Sequence, residues 1–400
     1  MSHWKIWLIA LTGWLPMVMQ GQSPKDSAAN AVFLTTQPID VDFLFNYYSQ
    51  DGNHSAVTGG LGTEELEDLS GKVVIQVPLD TITRINTSFT VNHYTSASTD
   101  KIDTYVSSAS QKDSRAVLVM GFDRDRPANR QSWGVSGGGS IESDYISSFV
   151  TARWSHTSSD GNREIALQAQ AYFDRWVVIF PEELRAPGLA MVPTDKRRSF
   201  NLAATWSQVI NPRLQASFSS EVVVQNGLLS TPFHRVYFQG ESLPKIEKLP
   251  LLRLKYPLGI RLNYYAADFL ILRFYYRFYL DSFSILAHTT SLEMPVKIGP
   301  FFSFYPFYRF HIQSSARYFS EYGQHLITED YYTSDFDLSA FHSHKYGLGM
   351  SFSPVYGIVK FQQKNGRTGQ LKSIDLRYAT YSRSDGLSAF MIGADIGFNF

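Results

Sequence analysis

Two closely spaced pairs in the C-terminal third offer the clearest chemistry in this sequence. Asp335 and Asp337 stand two apart in Tyr331-Tyr332-Thr333-Ser334-Asp335-Phe336-Asp337-Leu338-Ser339. Carboxylates set among hydroxyls and loop carbonyls are the oxygen donors that a hard cation such as Ca²⁺ takes. His342 and His344 are also two apart, so any strand that carries them shows both on one face. Imidazoles gathered at one rim bind Cu²⁺ or Zn²⁺, or respond to pH. Asp51 and His54, in a glycine-rich polar stretch near the N-terminus, add one donor of each kind. Further acids (Glu64, Asp100, Asp103, Asp113, Glu142, Asp144 and Asp330) also fall in polar stretches between apolar ones. The competing reading is that these residues make hydrated turns, since no complete calcium loop is present. Catalysis has less support: no His-Glu-x-x-His helix or phosphate loop occurs, and the chain reads as a non-enzyme.

A different chemistry runs through the apolar stretches themselves. Leu270, Leu272, Phe274, Tyr276, Phe278 and Leu280 alternate with Arg273, Tyr275, Arg277 and Tyr279. Phe302, Phe304, Pro306, Tyr308, Phe310 and Ile312 alternate with Ser303, Tyr305, Arg309, His311 and Gln313. Period-two alternation is the mark of a strand with two unlike faces. Arginines in mid-strand are costly against lipid and natural in a wet lumen. Arg273, Tyr275, Arg277, Arg309, Arg377 and Asp395 are therefore expected to line an aqueous path for small polar solutes or ions.

These donors need a scaffold, and the last eleven residues suggest one. Phe390, Ile392, Ala394, Ile396, Phe398 and Phe400 share one face of a strand, with Gly393, Asp395, Gly397 and Asn399 on the other. Such an ending suits the closing strand of a membrane barrel, and it resembles the C-terminal aromatic signal read by the bacterial barrel-assembly machinery. Composition agrees: charged residues are 18% against roughly 25% in soluble domains, and aromatics reach 15%. The 36 basic and 36 acidic residues balance, which gives no footprint for nucleic acid. There is no cysteine, so disulfides, thiolate metal sites and a lipidated cysteine are excluded.

Lys5 and the apolar run Ile6 to Met19 read as a signal peptide over residues 1–22, followed by a flexible leader over 23–38. Residues 39–400 are then expected to form one all-β domain, a transmembrane antiparallel β-barrel of about sixteen strands, or fourteen on the shorter count. Placing Phe400 at the periplasmic rim sends the turns at Asp80-Thr81, Ser158 to Asn162, Asn211-Pro212 and Ala266-Ala267 to the periplasm. The long polar segments then face outward, except the Ser353 to Gly369 connection. A short strand is also allowed inside the excursion from Asn226 to Pro250.

The polar segments themselves are distinctive. Tyr47-Tyr48-Ser49-Gln50-Asp51-Gly52-Asn53-His54-Ser55-Ala56-Val57-Thr58-Gly59-Gly60-Leu61-Gly62-Thr63-Glu64, Tyr94 to Ser98, Ser107 to Ser110, Tyr331 to Ser339 and Arg383 to Leu387 resemble a family of bacterial outer-membrane proteins. That family, common in Bacteroidota, is catalogued as a domain of unknown function, number thirty-five seventy. The resemblance implies an outer-membrane barrel in contact with outer-membrane lipid, and it supplies no activity. Two roles are open: a porin-like channel with a cation-binding outer mouth, or a non-conducting barrel whose loops fold inward or bind partner lipoproteins.

Overall fold

The computed structural model describes residues 38–95, 98, 112–185, 192–362 and 368–400. The signal peptide, all but the last residue of the leader, Asp100, Asp103 and Ser107 to Ser110 lie outside the described residues. The first strands are β1 (Asp40–Asp51), β2 (Leu66–Pro78), β3 (Thr83–Thr95), β4 (Lys112–Arg126) and β5 (Gln131–Ile141). They are followed by β6 (Tyr145–Thr157), β7 (Arg163–Val178), β8 (Val192–Asn211), β9 (Leu214–Gly227) and β10 (Arg235–Val236). Next come β11 (Lys245–Ile246), β12 (Leu252–Ala267), β13 (Leu270–Asp281), β14 (Leu286–Glu293) and β15 (Val296–Lys297). The chain closes with β16 (Phe302–Gln313), β17 (Phe341–Phe352), β18 (Val359–Gln362), β19 (Thr368–Arg383) and β20 (Ser388–Asn399).

Four of these are minor. β10 and β11 pair only with each other, β15 resumes the line of β14, and β18 is a flap on the start of β19. The other sixteen make one closed antiparallel β-barrel, each strand hydrogen-bonded to its neighbours in the chain. Closure is made by β20 against β1, in unbroken register from Asp40↔Asn399 to Asp51↔Ser388. Beyond that ladder, Ile39 and Phe400 exchange two further backbone hydrogen bonds, each 2.9 Å. The larger count of sixteen strands is the observed one.

The two ends of the cylinder differ as expected. Connections 79–82, 127–130, 158–162, 212–213, 268–269 and 298–301 are short turns at one end; the turn expected at Ala266-Ala267 falls just beyond them. The long connections 52–65, 228–251 and 314–340 emerge at the other. The connection after β17 is the exception, and β18 explains its length, because it folds back to lengthen the wall at the short-turn end.

Side-chain alternation sorts the wall into two faces. Outward-facing Phe45, Phe89, Leu118, Met120, Leu167, Leu202, Phe218, Leu258, Leu292, Leu348, Leu376 and Ile392 are all exposed, an apolar belt running around the whole circumference. A soluble protein does not leave such a belt bare, but hydrocarbon covers it at no cost. Trp133 pairs with Trp154 near the short-turn end, rings 6.4 Å apart, and Trp206 stands exposed at the same level, as indoles do at a membrane interface. Replacing Leu376, on the outer face of β19, by arginine is expected to destabilise the barrel by ~2–4 kcal/mol. Its inward neighbour Asp375 should accept the same change with little loss. Denaturant midpoints of the two variants in lipid, with the fast-migrating unboiled band as the sign of a folded barrel, check this.

Candidate functional site in the lumen and loop cap

Inside the cylinder, charge is divided between two walls. On the β3 to β9 side, acids have partners: Arg84 with Asp125 at 3.0 Å, Arg153 with Asp123 at 3.0 Å, Arg197 with Asp174 at 2.8 Å, and Asn201 with Glu221. On the β12 to β19 side, bases dominate, with Arg261, Arg273, Arg277, Arg309, Lys345 and Arg377 all turned inward by strand register. Glu293 bridges two of them, Arg273 Nη1 at 2.9 Å and Arg377 Nη2 at 2.8 Å. Arg309 and Lys345 have no ion pair among the described residues, yet they lie directly opposite one another across β16 and β17. Like charges in directly opposed positions repel. Arg277 is near enough to Arg309 to add to the repulsion.

Glycines on β17 make this wall smooth. A Cβ on Gly349 would overlap the Tyr305 ring, which packs directly against bare backbone there. The Arg377 guanidinium then covers Tyr305 and Phe307, at 5.2 and 4.9 Å from their ring centres. At the short-turn end the sign reverses. Asp395 faces inward opposite Asp375 and beside Asp42, with Lys372 as the nearby cation.

The long-loop end is covered. Leu229 and Leu249 from loop 228–251, and Ala316 and Leu338 from loop 314–340, pack on Phe283, Ile285 and the inward-facing Tyr279 and Ala287. These are apolar contacts reaching down onto the barrel wall. Polar contacts then sew the loops together. Arg235 donates to both Glu183 carboxylate oxygens, at 2.5 and 2.9 Å, and to the Val57 carbonyl at 2.7 Å. Arg383, at the end of β19, donates to Asp337 at 2.6 Å, to the Phe336 carbonyl at 2.9 Å and to Asp385 at 2.5 Å. His325 is fully buried between Glu329 and the Thr333 carbonyl.

The sequence-derived donors do not converge on one centre. Asp335 is buried in the cap and caps the short turn Phe336–Leu338 by accepting from the Asp337 N–H at 2.9 Å; Asp337 is held by Arg383. His54 stacks on Phe336 with ring centres 3.9 Å apart, and Asp51 ends β1 in solvent. His342 and His344 lie on the outer surface of the wall, His344 bonded to the Tyr308 hydroxyl at 2.7 Å. Two other groupings form instead, Asp113 with Glu142 and Asp144, and His234 with Glu247 and Asp335. His234 and Glu247 had no distinguishing motif. Their only sequence signal is placement in the excursion between β9 and β12, where the β10–β11 ribbon sets them opposite each other, Glu247 N–H to His234 carbonyl at 3.0 Å. Lys345 and Arg261 lie in strands without the strong alternation that marks Arg273, Arg277 and Arg309, so no local pattern signals them.

An apolar belt, a charged lumen and a loop cap together define a membrane β-barrel of the outer-membrane type. The chain belongs to the family described as Protein of unknown function (DUF3570), whose model matches residues 77–385. No curated protein matches it. Among solved structures, a bacterial polysaccharide outer membrane secretin is similar, with TM-score 0.47 and 10% identity over 91% of this chain and 99% of that one. OccK1 (OpdK) of Pseudomonas aeruginosa gives TM-score 0.41 and 7% identity over 90% and 98%. The ferric enterobactin receptor PfeA of Pseudomonas aeruginosa gives TM-score 0.44 and 11% identity over 86% of this chain, which spans 53% of that receptor.

Titration in the cap follows from its burial. Burial pushes the Glu64 carboxyl up to about 8, with repulsion from Asp337 adding and Arg383 opposing. Asp337 is pushed to about 7 by burial and by Asp335, against the same arginine. Carboxyls with raised folded values favour the folded cap most below their ordinary range near 4, and that contribution falls as pH rises through about 7 to 8. Amides of loops 52–65 and 314–340 should therefore exchange more slowly at pH 5 than at pH 8.5, after correction for intrinsic rates. Glu64→Gln should flatten the difference, and an unchanged profile in that variant would contradict the assignment.

Proposed function

We propose that the protein is an outer-membrane channel for small polar solutes, favouring anions in mid-lumen, with the loop cap as its gate. The observation that carries this reading is the opposed Arg309–Lys345 pair, which has no ion-paired carboxylate and sits among further bases. Such a pair is relieved when an anion stands between or beside its members. A lumen wall that offers a passing anion this relief gives it a favourable site to enter, one of the conditions for conduction.

A second reading has its own support. The apolar packing of loops 228–251 and 314–340 onto Tyr279 and Ala287 covers the mouth, as a non-conducting, partner-binding barrel would require. Planar-bilayer recording in a KCl gradient separates the two. Wild-type protein should open rarely and reverse toward the chloride potential. Arg235→Ala, which removes the contacts joining three loops, should raise the open fraction severalfold, and Lys345→Glu should move the reversal potential toward potassium. Silence from both wild type and Arg235→Ala would sink the channel and leave the partner-binding barrel.

A further inference from the structure

We propose that His234, Glu247 and Asp335 hold one divalent transition-metal ion of the zinc class, which staples loop 314–340 to loop 228–251 over the barrel mouth. The site does not depend on whether the barrel conducts. His234 Nδ1 stands 3.6 Å from Glu247 Oε1 and 3.9 Å from Asp335 Oδ2. Both separations are too long for a good hydrogen bond. They come close to the ~3.4 Å that separates two ligands each ~2.0–2.2 Å from a tetrahedral metal, and all three donor atoms lie within 4.8 Å of one another, so a modest contraction of the cluster would bring them onto one ion.

The free valences point the same way. All three side chains are more than nine-tenths buried, and His234 Nδ1 and Asp335 Oδ2 have no hydrogen-bond partner. Surrounding hydrogen bonds fix the two carboxylates, and Glu247 Oε1, which accepts from the Thr333 hydroxyl, has a second lone pair to offer a metal. Glu247 accepts from the Thr231 N–H at 2.6 Å and from the Thr333 hydroxyl at 2.5 Å, and Asp335 Oδ1 accepts from the Asp337 N–H at 2.9 Å. Such outer contacts fix the orientation of metal ligands. Two carboxylates and a neutral imidazole match a divalent charge, which relieves the burial that otherwise pushes the Asp335 carboxyl up. An imidazole donor selects against Ca²⁺ and Mg²⁺ and for zinc-class ions. Three protein ligands leave a fourth position for water.

The test uses tag-free, folded protein in detergent, stripped with chelator and titrated with Co²⁺ alone, then with Zn²⁺. One Co²⁺ per chain with visible tetrahedral absorption is expected, displaced by Zn²⁺ and untouched by excess Ca²⁺. His234→Ala and Asp335→Asn should each weaken Zn²⁺ binding more than about 100-fold, beyond the loss typical of an outer-contact change. The His342→Ala/His344→Ala double variant should bind as wild type. Each variant must keep the fast-migrating unboiled band, and Asp335→Asn, which preserves side-chain shape, stands in should His234→Ala not fold. No cobalt spectrum from wild type, a spectrum retained in His234→Ala or Asp335→Asn, or one lost from the surface-histidine variant would each overturn the site. The first outcome would leave a shared proton among the three groups.

Discussion

Every feature of this molecule depends on one constraint: in hydrocarbon, no backbone N–H or C=O can be left without a partner. A sheet meets that demand only by having no edge, so β20 must return to β1, and it does so over the full length of both strands. An even number of strands follows, because the two closing strands are antiparallel and the ends of the cylinder must alternate. The same closure decides what each residue faces. Once the register is set, one set of alternating side chains meets lipid and the other meets the lumen, and a slip of one residue would exchange them.

The lumen and the cap show two different answers to buried charge. Where acid and base are matched, as in Asp174–Arg197 and Arg235–Glu183, the contacts are short and the elements they join are held. Where they are unmatched, as at Arg309–Lys345 and at His234–Glu247–Asp335, the protein alone leaves a deficit of opposite charge. The first deficit is one of anion and the second one of cation. Unmatched buried charge costs stability, and at both places a ligand of opposite sign would offset that cost.

The wall of the barrel was largely legible from period-two alternation, because lipid on one side and water on the other impose a sharp contrast at each successive residue. That contrast is strongest in Leu270 to Leu280 and Phe302 to Ile312, and there the inward placement of Arg273, Arg277 and Arg309 could be read directly. It is weak in Leu252 to Ala267 and Phe341 to Phe352, where glycines and tyrosines blur the faces, and there Arg261 and Lys345 escaped notice. Loops have no period at all. His342 and His344 read as a rim pair that could join His54, but strand register turns them to the outside of the wall while His54 stacks on Phe336 in the cap.

The sequence by itself determined the barrel, the approximate strand number, the asymmetry of its two ends and the alternation that puts arginines in the lumen. These depend on local pattern and on the solvents that meet each face. The tertiary structure decided which charges stand opposite one another and which loop residues meet. Lys345 becomes the partner of Arg309 only through the β16–β17 register, and Asp335 reaches His234 and Glu247 only because two loops about a hundred residues apart pack together over the mouth. Contacts of that kind depend on long-range register and loop docking, which no local pattern in the chain encodes.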